Sequence, residues 1–140
     1  MNVANAKKVW WSVAKNHAPI FLARVVDATA ASVTQAAIST ATYTISRLDP
    51  NDPDSRTAVT SHSAISLTVS AIIYNALQLD DLWKDDDGNY LDDSGYNLKV
   101  QPSMATAVPF AVAGAEYLME VTLTPTSGEK ILVRWFCKCS

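Results

Sequence analysis

Two stretches near the C-terminus, 116-EYLMEVTLT-124 and 130-KILVRWFCKC-139, decide the fold of this 140-residue chain. In the first, Tyr117, Met119, Val121 and Leu123 alternate with Leu118, Glu120, Thr122 and Thr124. In the second, Ile131, Val133, Trp135 and Cys137 alternate with Leu132, Arg134, Phe136 and Lys138. Side chains of an extended chain point to opposite faces with period two, so both segments read as half-buried strands. TPTSGEK (124–130) joins them as a hairpin and places Gly128 where a positive φ is needed.

The same alternation recurs upstream. Ile20, Leu22, Arg24 and Val26 oppose Phe21, Ala23 and Val25; Ala41, Tyr43 and Ile45 oppose Thr42, Thr44 and Ser46; Ile65, Leu67 and Val69 oppose Ser66 and Thr68. Threonine, β-branched and aromatic residues suit these pleated surfaces. LDPNDPDSR (48–56) reads as a turn, its prolines setting φ and its aspartates offering Asx hydrogen bonds. Short strands at short intervals predict an all-β chain, an antiparallel sandwich or small barrel. GAEY (114–117) fits either the tyrosine corner of Greek-key sandwiches or a plain core tyrosine.

Two segments depart from this pattern. SAIIYNALQLDDLW (70–83) sets Ile72, Ile73, Ala76 and Leu77 at helical spacing after a possible N-cap, Ser70, and predicts one short helix or helical turn. Residues 1–18 read as an N-terminal arm or short helix, leaving 19–140 as the β-sandwich domain. Trp10 and Trp11 are adjacent and cannot both face one core from one strand, which offers one of them to a partner. MATAVPFAVAGA (104–115), with Phe110 at its centre, reads as a buried edge strand or a subunit contact.

Composition limits the function. A net charge of −3 and scattered Lys and Arg speak against nucleic-acid binding. The apolar run VWWSVA ends at Lys15, short of a secretory core, and no stretch approaches a membrane span, so the expectation is a soluble protein without a membrane partner. Cys137 and Cys139 point to one face of a strand, which disfavours a mutual disulfide, and both histidines, His17 and His62, are distant in sequence. Free thiols are expected, with no metal or other cofactor.

LWKDDDGNYLDDSG (82–95) holds five aspartates and two glycines. An EF-hand register fails: Gly88 at the sixth position puts Trp83 first, and Gly95 puts Tyr90 first and Ser94 fifth. An irregular calcium cage from Asp85, Asp87, Asp92 or Asp93 stays open at this stage. Catalytic carboxylates need contrasting environments, whereas this loop is polar throughout. No nucleophile–base signature, phosphate loop or H-E-x-x-H motif occurs, so the expectation is not an enzyme. The loop reads as a solvated connection that also offers aromatic contacts.

The succession VSAIIYNALQLDDLWKDDDG, SGYNLKV and PFAVAGAEYLMEVTLTPTSGEKILVRW, preceded by SVTQAAISTATYTI, resembles small virion proteins of tailed bacteriophages over roughly residues 20–136. The resemblance implies an immunoglobulin-like antiparallel β-sandwich in a non-enzymatic structural protein, assembled into the virion in the host cytoplasm. The expected role is capsid decoration or cementing against the major capsid protein, as a homo-oligomer of three-fold symmetry. A tail, neck or baseplate adaptor is the first alternative. A carbohydrate- or calcium-binding module, with Trp83, Tyr90 and Tyr96 as stacking platforms, is the second. The contact residues expected are Trp10, Trp11, Trp83, Tyr90 and Phe110.

Overall fold

The computed structural model describes residues 10–140 with the exception of Thr106. Among the described residues nine strands run in the order β1 (Trp10–Val13), β2 (Phe21–Ala23), β3 (Ile38–Asp49), β4 (Asp52–Ala58), β5 (Ile65–Leu67), β6 (Ile73–Gln78), β7 (Tyr96–Val100), β8 (Glu116–Pro125) and β9 (Ile131–Cys139). One helical turn, α1 (Val69–Ile72), lies between β5 and β6. The larger sheet has the order β1-β9-β8-β3-β4, with β5 also on β3, and the smaller has the order β2-β7-β6. The chain is all-β and its two sheets form a sandwich.

The strand order corresponds to the variable-type immunoglobulin arrangement, in which a central three-strand sheet is extended at one edge and faced by a second sheet. Here β9, β8 and β3 make that centre, with β4 and β5 end to end along β3. Every pair is antiparallel except β1 with β9, which is parallel, with Trp10 opposite Phe136 and Val13 opposite Cys139.

The alternating residues lie where period two puts them. Tyr117, Met119, Val121 and Leu123 are at most 2% exposed, and Trp135 and Cys137 join them in one core with Phe21, Tyr43 and Ile45. The Trp135 ring lies 5.2 Å from Phe21, and its Nε1–H donates to the Leu22 carbonyl at 3.1 Å, tying β9 to β2 across the sandwich. Both cysteines are free and buried. Burial pushes the Cys137 thiol up to about 12, so it sits in the core as a small hydrophobe.

Tyr117 makes the tyrosine corner. Its hydroxyl accepts the Val112 N–H at 3.2 Å, folding the 101–115 connection back onto β8. Met119, two residues on, stands where disulfide-bearing immunoglobulin domains place their second cysteine. Tyr117→Phe should cost about 1 kcal/mol, one modest hydrogen bond, and lower the melting midpoint by a few degrees in a calorimetric scan.

Four expectations need correction. The helical spacing of residues 70–83 yields only one turn, capped by Thr68 rather than Ser70 and without a side-chain cap bond. An isolated turn is marginal; Ile73 instead pairs with Leu98 and is 2% exposed, while Ala76 and Leu77 face solvent. The 48–56 turn is confined to Pro50 and Asn51, after which Asp52–Ala58 is an edge strand. Its polar composition carries no period, and an edge tolerates proline.

The 104–115 segment forms no strand among its described residues. Phe110, expected to touch a partner, is fully buried, its ring 6.2 Å from Phe21 and 5.2 Å edge-on from Tyr117. The connection must close the sandwich between β7 and β8, and Phe110 plugs that gap. At the N-terminus, Trp10–Val13 is a strand of the larger sheet, so the sandwich includes this part of the expected arm. Trp11 is half-buried against Phe21 at 6.2 Å, which removes it as an open contact residue. Residues 1–9 and the side chain of Trp10 lie outside the described residues.

Candidate functional site

The topology gathers four connections at one end. Strands β2 and β6 both oppose β7, and β5 and β8 both oppose β3. Segments 24–37, 68–72, 79–95 and 126–130 therefore emerge together, at the end where variable-type immunoglobulin domains carry binding loops. Bonds confirm the meeting: Arg24 pairs with Asp92 at 2.5 Å, Thr126 N–H donates to Ala37 O at 3.0 Å, and Gln35 Nε2–H donates to Ser70 O at 3.5 Å. Asn97, 1% exposed, holds the 24–37 connection from below by bonds to Val25 N–H, Val25 O and Val33 O.

The 79–95 loop is the most elaborately built of these connections. Asp80 accepts Leu82 N–H at 3.0 Å, opening a 3-10 turn over Asp81–Trp83, and its second oxygen takes the Tyr96 hydroxyl at 2.8 Å. Trp83 turns inward, 7% exposed, and stacks 5.7 Å from Tyr96 in a second apolar cluster with Leu22 and Tyr74. Lys84 then bridges to Tyr90, and Leu91 N–H donates to Trp83 O at 2.9 Å. Asp85 accepts the N–H groups of Asp87 and Asn89, and Gly88 takes φ 81°.

Asp92 is the second anchor. One of its oxygens accepts from Ser94 N–H, Gly95 N–H and Trp83 Nε1–H, and the other meets Arg24. The Gly95 N–H, then the Trp83 and Ser94 donors and the Arg24 charge, hold this carboxyl below the usual carboxylate range. Folded Asp92 thus binds its proton less readily than unfolded Asp92. Its contribution is present above the unfolded value, near 3.9, and is lost as pH falls through the lower folded value. Acid should loosen this loop: protection at Ser94 and Gly95 should fall on acidification below about pH 4, and Asp92→Asn should flatten that dependence.

The loop that results is tied down beneath and presents apolar side chains among aspartates on top. Leu79, Leu82, Tyr90 and Leu91 are 41–50% exposed, while Asp81, Asp85, Asp86, Asp87 and Asp93 are exposed among them. Lys84 pairs with Asp81 at 3.0 Å and lies 4.9 Å over the Tyr90 ring, covering one face of it. Beside the loop end, a shallow uncharged groove of about 660 Å³ is lined by hydroxyl residues such as Thr40, Ser66 and Thr68 together with the apolar Ile38, Leu67 and Val69.

These positions revise the predicted contact set. Trp83 and Tyr96 (1% exposed) cannot stack on a sugar ring, because both are spent holding the loop down. Of the five contact residues named from sequence, Tyr90 alone has a described side chain that is exposed. Leu79 and Leu82 fall inside the 70–83 segment that reads as helical, which conceals them as loop residues. The signal was present in QLDDLW: Asp80, two residues before Leu82, is an N-cap pattern that starts a new turn.

Asp80, Asp85 and Asp92 act as turn-formers, and no group of three or more His, Cys, Asp or Glu among the described residues is placed to hold a metal ion. No described helix is long and apolar enough to cross a membrane. Buried polar side-chain atoms among the described residues all have partners. No protein-family model, curated protein or solved structure matches the chain.

Proposed function

We propose that this protein is a non-enzymatic structural component of a virion, of the head-decoration or cement kind, attaching through the loop-bearing end of its sandwich. One observation carries the attachment: Leu79, Leu82, Tyr90 and Leu91 stand exposed on a loop that Trp83 and Asp92 lock from below. Apolar side chains already held in place lose little freedom on docking, so their burial converts efficiently into affinity. The virion setting, with assembly in the host cytoplasm, rests on the resemblance of residues 20–136 to phage virion proteins. The distribution of polar groups supports a contact role. His62 and Asn97, both 1% exposed, are committed to internal hydrogen bonds.

The test is mass spectrometry of separated heads and tails from particles of the phage encoding the chain. Recovery with heads is the expected result. Recovery with tails alone replaces the decoration role with that of a tail, neck or baseplate adaptor, and recovery with neither overturns the virion reading. On emptied heads, Leu82→Asp with Leu91→Asp should abolish rebinding at unchanged melting temperature, since both side chains face solvent.

A further inference from the structure

The 79–95 loop carries a small hairpin of its own. Asp85 N–H donates to Asn89 O at 2.8 Å, Leu91 N–H donates to Trp83 O at 2.9 Å, and Lys84 pairs with Tyr90 between them. Asp86, Asp87 and Gly88 make the tip, where Gly88 takes φ 81°. The exposed Leu82, Tyr90 and Leu91 lie on the arms or at their foot, with Leu79 and Asp93 exposed in the chain leading in and out. The apolar surface thus has acids beyond it at the tip and beside it at the base.

These acids are not neutralised within the described molecule. Lys84 is taken by Asp81 at 3.0 Å and Arg24 by Asp92, and among the described residues no basic side chain pairs with Asp86, Asp87 or Asp93. The connections 24–37, 79–95 and 126–130 hold nine acidic residues against three basic ones, although the whole chain is only −3. A surface that closes over the leucines draws the neighbouring carboxylates out of bulk water, and that loss is offset only where opposite charge faces them. An uncharged partner offers no such offset. A second copy presenting the same end adds like-charge repulsion.

We propose that the loop end recognises a protein surface of the opposite make, an apolar patch bordered by Lys and Arg side chains that face Asp86 and Asp87 at the hairpin tip and Asp93 at its base. The inference rests on the loop-end contact proposed above and gives the chemistry of its partner. Apolar side chains at the centre with charge at the rim is the usual anatomy of a protein contact. Rim charges act mainly on association and its salt dependence, whereas buried contacts act mainly on dissociation.

The probe is a synthetic helical peptide with leucines along one face and lysines on both flanks. Its binding to the purified full chain is followed by fluorescence anisotropy and its rates by stopped flow. Binding should weaken at least tenfold when glutamates replace the peptide's lysines, or serines its leucines. It should also weaken at least tenfold at about 0.5 M salt, where the screening length is near 4 Å. D86K with D87K should slow association at least tenfold, and L82S with L91S should speed dissociation by a similar factor; all four side chains are exposed, so the fold is kept. Failure of the wild-type chain to bind, equal binding of the glutamate peptide, or variants that bind as wild type does overturns the proposal. So does self-association of the wild-type chain that L82S with L91S abolishes, because the occupant is then a second copy. Peptide discrimination without attachment to emptied heads leaves the partner chemistry standing and removes the cement role. Attachment to heads that is indifferent to salt and to D86K with D87K keeps the cement role and removes the basic partner.

Discussion

Gly95→Ala should destabilise the protein by roughly 2–5 kcal/mol, combining a left-handed backbone on a non-glycine residue with overpacking. Gly95 has φ 99°, and a Cβ there would lie 2.2 Å from the Gln78 carbonyl oxygen and 2.7 Å from its carbon. Those are backbone atoms of β6, which pairs Gln78 with Tyr96, so relief means prising β6 from β7. Gly88 supplies the control. It has φ 81° but nothing within 4 Å of its Cβ position, so Gly88→Ala should cost only about 1 kcal/mol. In thermal melts the first variant should fall on the order of 10 °C and the second by a few degrees. Equal shifts would show that the Gln78 contact does not matter.

His62→Ala should cost about 3–5 kcal/mol, from a lost buried ring and two stranded partners. His62 is 1% exposed and lies between Tyr43 and the 101–115 connection. Its Nε2 meets Ala107 O at 2.8 Å; a carbonyl only accepts, so Nε2 carries the proton. In the tautomer with that proton on Nε2, Nδ1 accepts from the Tyr43 hydroxyl at 2.8 Å, and that hydroxyl receives Ser103 N–H at 3.3 Å. Burial, partly offset by that Ser103 bond, raises the Tyr43 phenol and keeps it protonated as the donor. One buried ring thus ties the larger sheet to the connection below it. Removing it should speed amide exchange across 103–110 beyond the global loss of stability. Tyr43→Phe should show a smaller loss, and the double variant should be non-additive by about 0.5–3 kcal/mol, because the two rings share a bond. Additive losses would show that the pair acts independently.

Much of the fold was legible because strand formation is written locally. Alternation at 41–46 and 116–124 places every second residue in one core, whatever partner the strand later finds. The tyrosine corner was legible for a related reason: its hydroxyl reaches only five residues back, to Val112. The failures have the opposite character. Strand β4 has no inner face rich enough to leave a period, and β6 was disguised by Ile72, Ile73, Ala76 and Leu77 at helical spacing.

For the candidate site the division is sharper. The residue order announced an acidic loop with aromatics but not which of them would face outward. Trp83 went inward because Leu22 and Tyr96, distant in sequence, made an apolar seat for it, and Asp92 supplied an acceptor for its N–H. That exchange left Leu79, Leu82 and Leu91 outside.

By itself the sequence determined the all-β class, most of the strands of the central sheet and the hairpin at Gly128, since these depend on side-chain period and backbone sterics within a few residues. Only the tertiary structure decided that Trp10–Val13 joins the larger sheet, that His62 and Phe110 lock the long connection, and that four connections share one end. Each of these depends on partners tens of residues away, and burial there is settled by which surfaces meet in space.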